Sequence, residues 1–476
     1  MADKKELGLV TLIAIVVSSM IGSGVDGLPQ NMAAHSALGP ILIAWFICGF
    51  GIFFIARTFI ILSNIRPDLQ SGIYMYAREG FGPFIAFIVA WGYWLMTIFS
   101  NVAFAIMIMD TLNYFMPGEF KGGNNIPSII GASILIWGFN FLVLSGVKVA
   151  GLLNTIGTFA KIIPLIIFVF IVAYFLNFQQ LGSDFWGHSA AKASNDLGSL
   201  SSQILSPFYV ALWCFIGIEG AVVLSGRAKN TKDIGKATFW GFVISLVICI
   251  LISVLPFGVF TQQQLSVIPT PSTAGILKSL VGDWGEWIIN IGILVSILSS
   301  WLAWTIICAE IPMVAAVNKT FPKIFAKKNK NESASVSLWI SSIIMQIVIL
   351  LVYFAQNAWL TLLAISAITV IPAYFASTAY LFKISINKEY DRYASKGRIV
   401  ALISSFIGAI FCLVMVYAIN IKYVIFIPVI LTLGIPLYIF SRREEHSKFS
   451  KSDKVYLAIL LLADILAISV YLIFIH

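Results

Sequence analysis

Residues 19–29 read SMIGSGVDGLP and lie inside an apolar run that has the length of a membrane helix. Three glycines, an acid and a proline are unexpected there, because one glycine in a helix interior costs about 1 kcal/mol relative to alanine. Irregular backbone at membrane depth is tolerated only where it is buried in protein or lines a cavity. The stretch therefore predicts a broken helix whose backbone can serve as a binding surface.

The rest of the chain is also apolar. Of its 476 residues, 59% are hydrophobic and 11% are charged, and the mean hydropathy is +0.95, whereas a soluble domain is about one quarter charged. The apolar residues form blocks close to the ~20 residues that span hydrocarbon. We therefore predict an all-α polytopic membrane protein with thirteen spans, at 7–32, 41–62, 84–114, 126–144, 149–176, 200–224, 234–259, 287–314, 336–354, 359–382, 398–419, 423–440 and 455–475.

Basic residues are distributed unequally between the loops. With the N-terminus in the cytoplasm, inside-facing segments hold 25 of the 30 Lys and Arg residues, outside-facing loops hold four, and Lys161 lies within a span. Cytoplasmic loops of membrane proteins carry such an excess. The distribution predicts this orientation in a bacterial cytoplasmic membrane, and it explains the net charge of +9 without a nucleic-acid partner.

A second interruption lies in the sixth predicted span. Residues 213–220 read WCFIGIEG, with two glycines and an acid at mid-membrane. Interrupted helices at corresponding positions of two halves are typical of transporters built from inverted repeats. The alternative is two unrelated glycine kinks. We predict two inverted five-span repeats, residues 1–176 and 200–382, followed by three additional helices at 398–476.

Each break would free N–H groups at the start of one half-helix and C=O groups at the end of the other. The N–H end attracts a carboxylate, and the C=O end attracts an ammonium. Together the two ends form a receptor for a zwitterionic α-amino acid. The breaks alone therefore predict a carrier of amino acids.

Several motifs resemble those of a known family. GSGV followed by LPQNMA in the first span, PDLQSGIYMYAREGFG at 67–82, WGYW at 91–94, FIGIEGA at 215–221 and AWTIICAEIP at 303–312 are similar to the basic amino acid/polyamine antiporters of the amino acid–polyamine–organocation superfamily. The resemblance covers about the first 380 residues. It implies a LeuT-like fold and the exchange of an amino acid for its metabolic product, as in arginine/ornithine exchangers.

The resemblance also implies where a substrate binds. The two broken spans would hold its α-groups, an asparagine of the third span would contribute, and a tryptophan of the eighth span would face its side chain. A desolvated tryptophan face attracts a cation by ~2 kcal/mol or more, although most membrane tryptophans are interfacial anchors or packing. The matching residues are Ile21, Gly22, Ser23, Gly24, Asn101, Trp213, Phe215, Ile216, Glu219 and Trp304.

Lys161 lies three turns inside the fifth predicted span. A mid-span lysine is costly and is a functional hypothesis by default. The resemblance implies that its ammonium replaces the sodium ion of sodium-driven relatives and ties the fifth span to the first break, so we expect no sodium dependence. The alternative is a side chain that snorkels to the cytoplasmic face. Glu219 is predicted to couple protons, to stabilise the unwound backbone or to contact a cation, and Tyr93 is either a gate or packing.

Two further acidic residues and one segment with charges of both signs remain. Asp26 departs from the family pattern, which has an aromatic residue there, and it would either cap the second half of the first span or attract a cationic group of a substrate. Glu310 would either bias the pocket toward cations, with a gating role, or be a helix-end acid near basic loops. The segment 63–83 is either an ion-pair latch over the inner gate or a solvated loop.

These features predict an antiporter that exchanges an extracellular cationic amino acid for its intracellular product, with arginine for ornithine as the first pairing. Histidine for histamine, another amino acid/amine pair, or a proton-coupled amino acid symporter are the alternatives. No catalytic constellation indicates an enzyme. The five cysteines lie in apolar runs without CxxC spacing, so we predict neither a metal nor a cofactor. The expected partners are small amino acids and amines, membrane lipid, and a second copy of the chain in a homodimer.

Overall fold

The computed structural model describes residues 6–187, 197–269, 271–354, 358–418 and 424–474. Within these ranges the secondary structure is helical, apart from one isolated parallel bridge between Leu7 and Ala228. The all-α architecture predicted from the apolar blocks is therefore the observed one.

Eleven helices in the described ranges are long and apolar enough to cross a membrane, and the pair Leu9–Met20 and Gly24–Ala33, bent by 44°, makes a twelfth. The count falls short of the predicted thirteen because the sixth span is divided into two helices too short to cross alone, Leu200–Trp213 and Gly220–Val223. Span numbers below follow chain order, with the interrupted helices as spans one and six. The uninterrupted spans are Leu38–Ile65, Pro83–Phe115, Ile126–Leu144, Val147–Tyr174, Lys232–Gly258, Asp283–Val317, Ser335–Val352, Ile365–Ile386, Arg398–Ala418, Phe426–Glu444 and Lys451–Tyr471.

Both interrupted spans break at their glycines. The first span passes through a 3-10 turn at Ser23–Gly27 and continues as the short helix Leu28–Ala33. The sixth span stops at Trp213 and resumes at Gly220. Between them Gly217 has a φ of +109°, a conformation that residues with a Cβ rarely adopt. The glycines therefore supply backbone shapes that a continuous helix does not have.

The spans differ in how much protein surrounds them. In their most apolar segments, 72% of the residues of span three and 78% of those of span eight are buried, against 6% for the last span. Spans three and eight therefore lie at the centre beside the two breaks, whereas the last span presents most of its surface to lipid.

The two halves share a local construction. A ten-residue helix, Gly72–Phe81, ends at Gly82 and leads directly into span three. A second ten-residue helix, Ser272–Val281, ends at Gly282 and leads directly into span eight. Both glycines have positive φ, +88° and +84°, which is the usual way for a helix to end. Two repeats would produce this correspondence, and the division into residues 1–176 and 200–382 stays a prediction.

Candidate functional site

The two breaks touch each other. The Ser19 hydroxyl of span one donates to the Gly217 carbonyl of span six over 2.9 Å. A Cβ on Gly217 would lie 2.7 Å from the Ser19 Cβ, so the contact leaves no space for a side chain. The two breaks therefore meet, as a binding site formed by both of them requires.

A small cavity lies where they meet. Its volume is about 20 Å³, which suffices for one water molecule and not for an amino acid. The Trp213 ring covers Gly24, where a Cβ would lie 1.7 Å from a ring carbon. The structure therefore has the site closed. The cavity is lined by Ser19, Met20, Gly22, Ser100, Ala103, Phe104, Met107, Trp213, Ile216 and Trp304.

The carbonyl end of the first break holds the Lys161 ammonium. Its Nζ donates to the Ser18 carbonyl over 3.1 Å, to the Ile21 carbonyl, and to the Ser300 hydroxyl over 3.1 Å. The lysine is buried, so the snorkelling alternative is wrong in this structure. The ammonium joins spans one, five and eight at the end of a half-helix, where the helix dipole is negative.

Trp304 of span eight is also tied to the first break. Its indole N–H donates to the Ser19 carbonyl over 3.2 Å, and the ring lines the cavity. The Ile21 carbonyl, which also accepts the Ser300 hydroxyl over 3.0 Å, completes this group. An indole whose N–H is fixed on the backbone presents its face in one orientation, as recognition of a cation requires.

Glu219 is the charged residue at the second break, as Lys161 is at the first. One carboxylate oxygen accepts the Tyr93 hydroxyl over 2.6 Å, and the other accepts the Tyr374 hydroxyl over 2.5 Å and the Gly217 N–H over 3.2 Å. All three side chains are buried. The carboxylate therefore links spans three, six and ten, and its three donors offset the cost of burying it.

Asn101 has a buried side-chain amide without a hydrogen-bond partner among the described residues. The residue is buried in span three, and neither its side-chain oxygen nor its side-chain nitrogen has a hydrogen-bond partner among the described residues. A buried polar group left in this way costs about 1–3 kcal/mol. It stands three residues before the cavity-lining Phe104, a spacing that places the two side chains on neighbouring parts of the same helix face.

Two residues predicted to contact the substrate make other contacts in the structure. Phe215 packs against Trp45 and Phe242, with ring centroids 6.1 and 5.8 Å apart. Asp26 does not cap the second half-helix, which follows Gly27 without a side-chain cap. Its carboxylate instead accepts the Thr273 hydroxyl over 3.1 Å, which ties the second half of span one to the helix Ser272–Val281. The side chain of Ser23 lies outside the described residues.

Glu310 is buried and forms an ion pair with Arg227, with 3.2 Å between Nε and Oε1. Arg227 also donates to the Glu332 carbonyl over 3.1 Å, and its own carbonyl accepts the Leu7 N–H over 3.0 Å. Glu310 therefore joins the N-terminal segment, the end of span six and span eight. It is buried, pairs with a basic residue and does not line the cavity.

The latch expected in segment 63–83 has partners in the structure. Arg66 forms ion pairs with Asp68 at 2.8 Å and Glu79 at 3.4 Å, and it donates to the Tyr380 hydroxyl over 2.5 Å. The neighbouring guanidinium holds the pKa of Asp68 below its usual range. The cluster connects the segment to span ten at the face that carries the basic loops.

The described residues include no group of three or more His, Cys, Asp or Glu residues arranged to hold a metal ion. The five cysteines are unpaired and buried.

Residues 7–440 match the family model that is described as amino acid permease. The chain belongs to this family. The permease is 53% identical to an arginine/agmatine antiporter of Chlamydia pneumoniae over 95% of its own length and 94% of the relative. It is 51% identical to one of Chlamydia caviae over 98% and 97%, and 47% identical to one of Chlamydia trachomatis serovar D over 98% and 96%.

Among solved structures, the permease is similar to a Na⁺-coupled sialic acid symporter in its substrate-bound outward-open state. The TM-score is 0.55 at 10% identity, over 86% of this chain and 90% of that one. The LeuT-like fold is therefore confirmed. With the antiporter relatives, the predicted membership of a basic amino acid antiporter family is confirmed as well. The permease is a multi-pass membrane protein and an amino acid antiporter, and it is not an enzyme.

Several residues that organise this permease escaped the sequence analysis. Tyr374 holds Glu219, Ser300 holds Lys161, and Arg227 holds Glu310. Each has only an ordinary serine, tyrosine or loop arginine as its signature in the sequence. Their pairing with a buried charge depends on which spans pack together, and no local pattern in the sequence shows this.

Proposed function

We propose that this permease exchanges extracellular arginine for intracellular agmatine across a bacterial cytoplasmic membrane. The observation that carries the proposal is 47–53% identity, over nearly the whole chain, to antiporters named for that pair. The pairing is one of the amino acid/decarboxylated-amine alternatives that the sequence leaves open, and it replaces arginine for ornithine as the first choice.

In this proposal the arginine backbone lies between the two breaks. The α-carboxylate meets N–H groups around Gly22 and Gly24, and the α-ammonium meets carbonyl groups around Trp213 and Ile216. The amide of Asn101, unpartnered in the closed structure, gains a hydrogen bond to the ligand. Each of these groups lies at, or next to, the small cavity.

The side chain of the substrate selects for positive charge. The guanidinium of arginine or agmatine stacks on the face of Trp304, an interaction of ~2 kcal/mol or more in a desolvated site. Lys161 already occupies the carbonyl end of the first break, so no sodium ion is needed there. We propose on this basis that exchange is independent of sodium.

Alternating access is part of this proposal, and the size of the cavity supports it. About 20 Å³ cannot contain arginine, so the site has to open for the substrate. In the proposal it opens when spans one, two, six and seven move against spans three, four, eight and nine. The clusters of Arg66 and of Glu310 with Arg227 close the cytoplasmic side, and Trp213 over Gly24 closes the other. Movement in either direction requires a bound substrate, which makes the exchange obligatory.

The charges of the two substrates give a test. Near neutral pH arginine carries one net positive charge and agmatine carries two, so each cycle moves one positive charge outward. We would measure uptake of labelled arginine into proteoliposomes loaded with agmatine, with and without an imposed potential. An outside-negative potential should accelerate uptake, and an inside-negative potential should slow it.

Other results would assign another function. Uptake that requires internal ornithine and ignores the potential would indicate arginine/ornithine exchange, because both substrates carry one charge. Uptake into empty vesicles driven by a pH gradient would indicate a proton-coupled symporter. Competition by histidine and histamine, with no competition by arginine and agmatine, would indicate the imidazole pair. An Asn101→Ala variant, which should lose arginine uptake, controls for transport through the central site.

A further inference from the structure

A larger cavity lies above the central one, on the face that the charge distribution assigns to the outside. Its volume is about 620 Å³, enough for a free amino acid with water. The walls come from the outer end of span three, the helix Ser272–Val281 and the beginning of span eight. Met107 of span three lines both this outer cavity and the small central one, so its side chain is part of the wall between them.

The charged groups of the outer cavity come from three different elements. Asp110 lies on span three, Lys278 on the short helix and Glu286 on span eight. The Lys278 ammonium lies 2.7 Å from one oxygen of Glu286, and the Gly122 N–H donates to one oxygen of Asp110 over 2.9 Å. The lining therefore contains two carboxylates and one ammonium.

We propose that this outer cavity is a second binding site, where an arginine or agmatine molecule is held before it passes Met107. Arginine carries two cationic groups and one carboxylate, which is the inverse of the charges on the walls. The guanidinium and α-ammonium pair with Asp110 and Glu286, and the α-carboxylate pairs with Lys278. Agmatine, with two cations and no carboxylate, binds the same two acids.

The polar surroundings support a solute at this place. Asn290 lines the cavity and is buried, and its side-chain amide donates to the Glu286 backbone carbonyl over 2.9 Å. Tyr114 adds an aromatic wall, on which a planar guanidinium can stack. The site would raise the local concentration of cationic substrate at the entrance, an effect of about tenfold or more for a charged cleft at low ionic strength.

The proposal rests on the proposed function for the identity of the ligand, and its test measures binding alone. Thr111 lines the outer cavity, and Thr111→Cys introduces a reactive thiol there, while the native cysteines are buried. The rate of modification by an uncharged, membrane-impermeant thiol reagent would be measured with arginine, agmatine or citrulline present. Citrulline has the shape of arginine without its side-chain charge.

We expect arginine and agmatine to slow the modification about tenfold at saturating concentration, and citrulline to have little effect. Protection should persist when Asn101→Ala disables the central site. It should be lost with Asp110→Asn or Glu286→Gln, and it should be retained with Asp283→Asn. That carboxylate lies 3.8 Å from Lys278 but does not line the cavity, so it serves as the matched control.

Absence of protection by arginine, or its loss in Asn101→Ala, would overturn the second site. Protection in a protein that does not exchange arginine for agmatine would overturn the proposed function and leave the site standing. In proteoliposomes, Asp110→Asn should raise the apparent KM for external arginine about tenfold with little change in the maximal rate. An equal fall of the maximal rate with unchanged KM would point to a structural role and contradict the proposal.

Discussion

The breaks in spans one and six are stabilised in opposite ways. At the first break, the carbonyl oxygens of Ser18 and Ile21 accept a cation that comes from another span, Lys161. At the second break, the Gly217 N–H donates to an anion of the same span, Glu219, which Tyr93 and Tyr374 hold in place. The first break is therefore stabilised by a cationic side chain of another span, and the second by an acidic side chain of its own span.

The backbone groups at each break match the charge beside them. The first half of span one ends at the first break, and a helix C-terminus carries partial negative charge, which favours an ammonium. At the second break, the Glu219 carboxylate accepts the Gly217 N–H in the turn that precedes the helix Gly220–Val223. Each break thus places some of its backbone groups against an ionisable side chain of the protein. The remaining groups are left for a substrate.

The largest effect is expected from Lys161→Met, which leaves the Ser18 and Ile21 carbonyls facing an apolar side chain. A buried acceptor left without its donor costs about 1–3 kcal/mol, and here two carbonyls lose the ammonium that they share, so arginine exchange should fall by two orders of magnitude or more. Initial uptake rates in proteoliposomes would measure it. Size-exclusion chromatography of the purified variant would show whether it folds, and a folded variant with more than a third of the normal rate would contradict the role given to the ammonium.

A smaller effect is expected at the second break. Glu219→Gln keeps the size of the side chain but removes the charge that receives three donors, and a hydrogen bond to a charged group contributes about 1.5–3 kcal/mol. Exchange should therefore fall about tenfold or more. Tyr374→Phe, which removes one of the donors, should give a milder loss. Additive effects of Glu219→Gln and Tyr374→Phe would show that the two side chains act independently, against the structure.

The contact between the breaks can be tested by two neighbouring glycines. Gly217→Ala forces a Cβ into a positive φ and to within 2.7 Å of Ser19, so it should destabilise the fold by ~2 kcal/mol. At Gly220 the nearest atom, the Ser19 hydroxyl oxygen, would lie 3.3 Å from a new Cβ. The Gly220→Ala control should therefore change the apparent melting temperature much less. Equal shifts for both variants would mean that the breaks are not in tight contact.

The smallest effect is expected at the exposed face, where Arg66 pairs with Asp68. Arg66 holds the pKa of Asp68 below its usual range, so the pair stabilises the protein above about pH 4 and the stabilisation is lost as the pH falls through that lowered pKa. The carboxylate is 60% exposed, so Asp68→Asn should cost less than ~1 kcal/mol at pH 7. Melting curves at pH 7 and below pH 3 would measure it, and an unchanged difference between variant and parent across that range would refute the linkage.

The sequence predicted the breaks well because glycine and proline inside an apolar run have few other uses. The depth of Lys161 in its span marked it as a functional candidate but left snorkelling open, and its tie to the first break was implied by the family resemblance. Residues that are costly in lipid can therefore be recognised from the sequence, because each needs a compensating contact, whereas the partner cannot be derived from depth alone.

The hydrogen-bond partners of the charged residues, and the directions in which their side chains point, were harder to predict. The carboxylate of Asp26 turns to Thr273 and does not cap its own helix, because a helix 247 residues further along the chain packs against it. Glu310 pairs with Arg227 across two elements for the same reason. Pairings of this kind depend on which spans are neighbours, and neighbourhood is not encoded in the local pattern of residues.

The hydroxyl of Ser19 has a consequence for leakage. It bonds across to Gly217 at the point where an open tunnel would have to pass, and the void beside it has room for about one water molecule. A continuous column of water does not fit in this void, so we expect the closed carrier to conduct few ions between transport cycles.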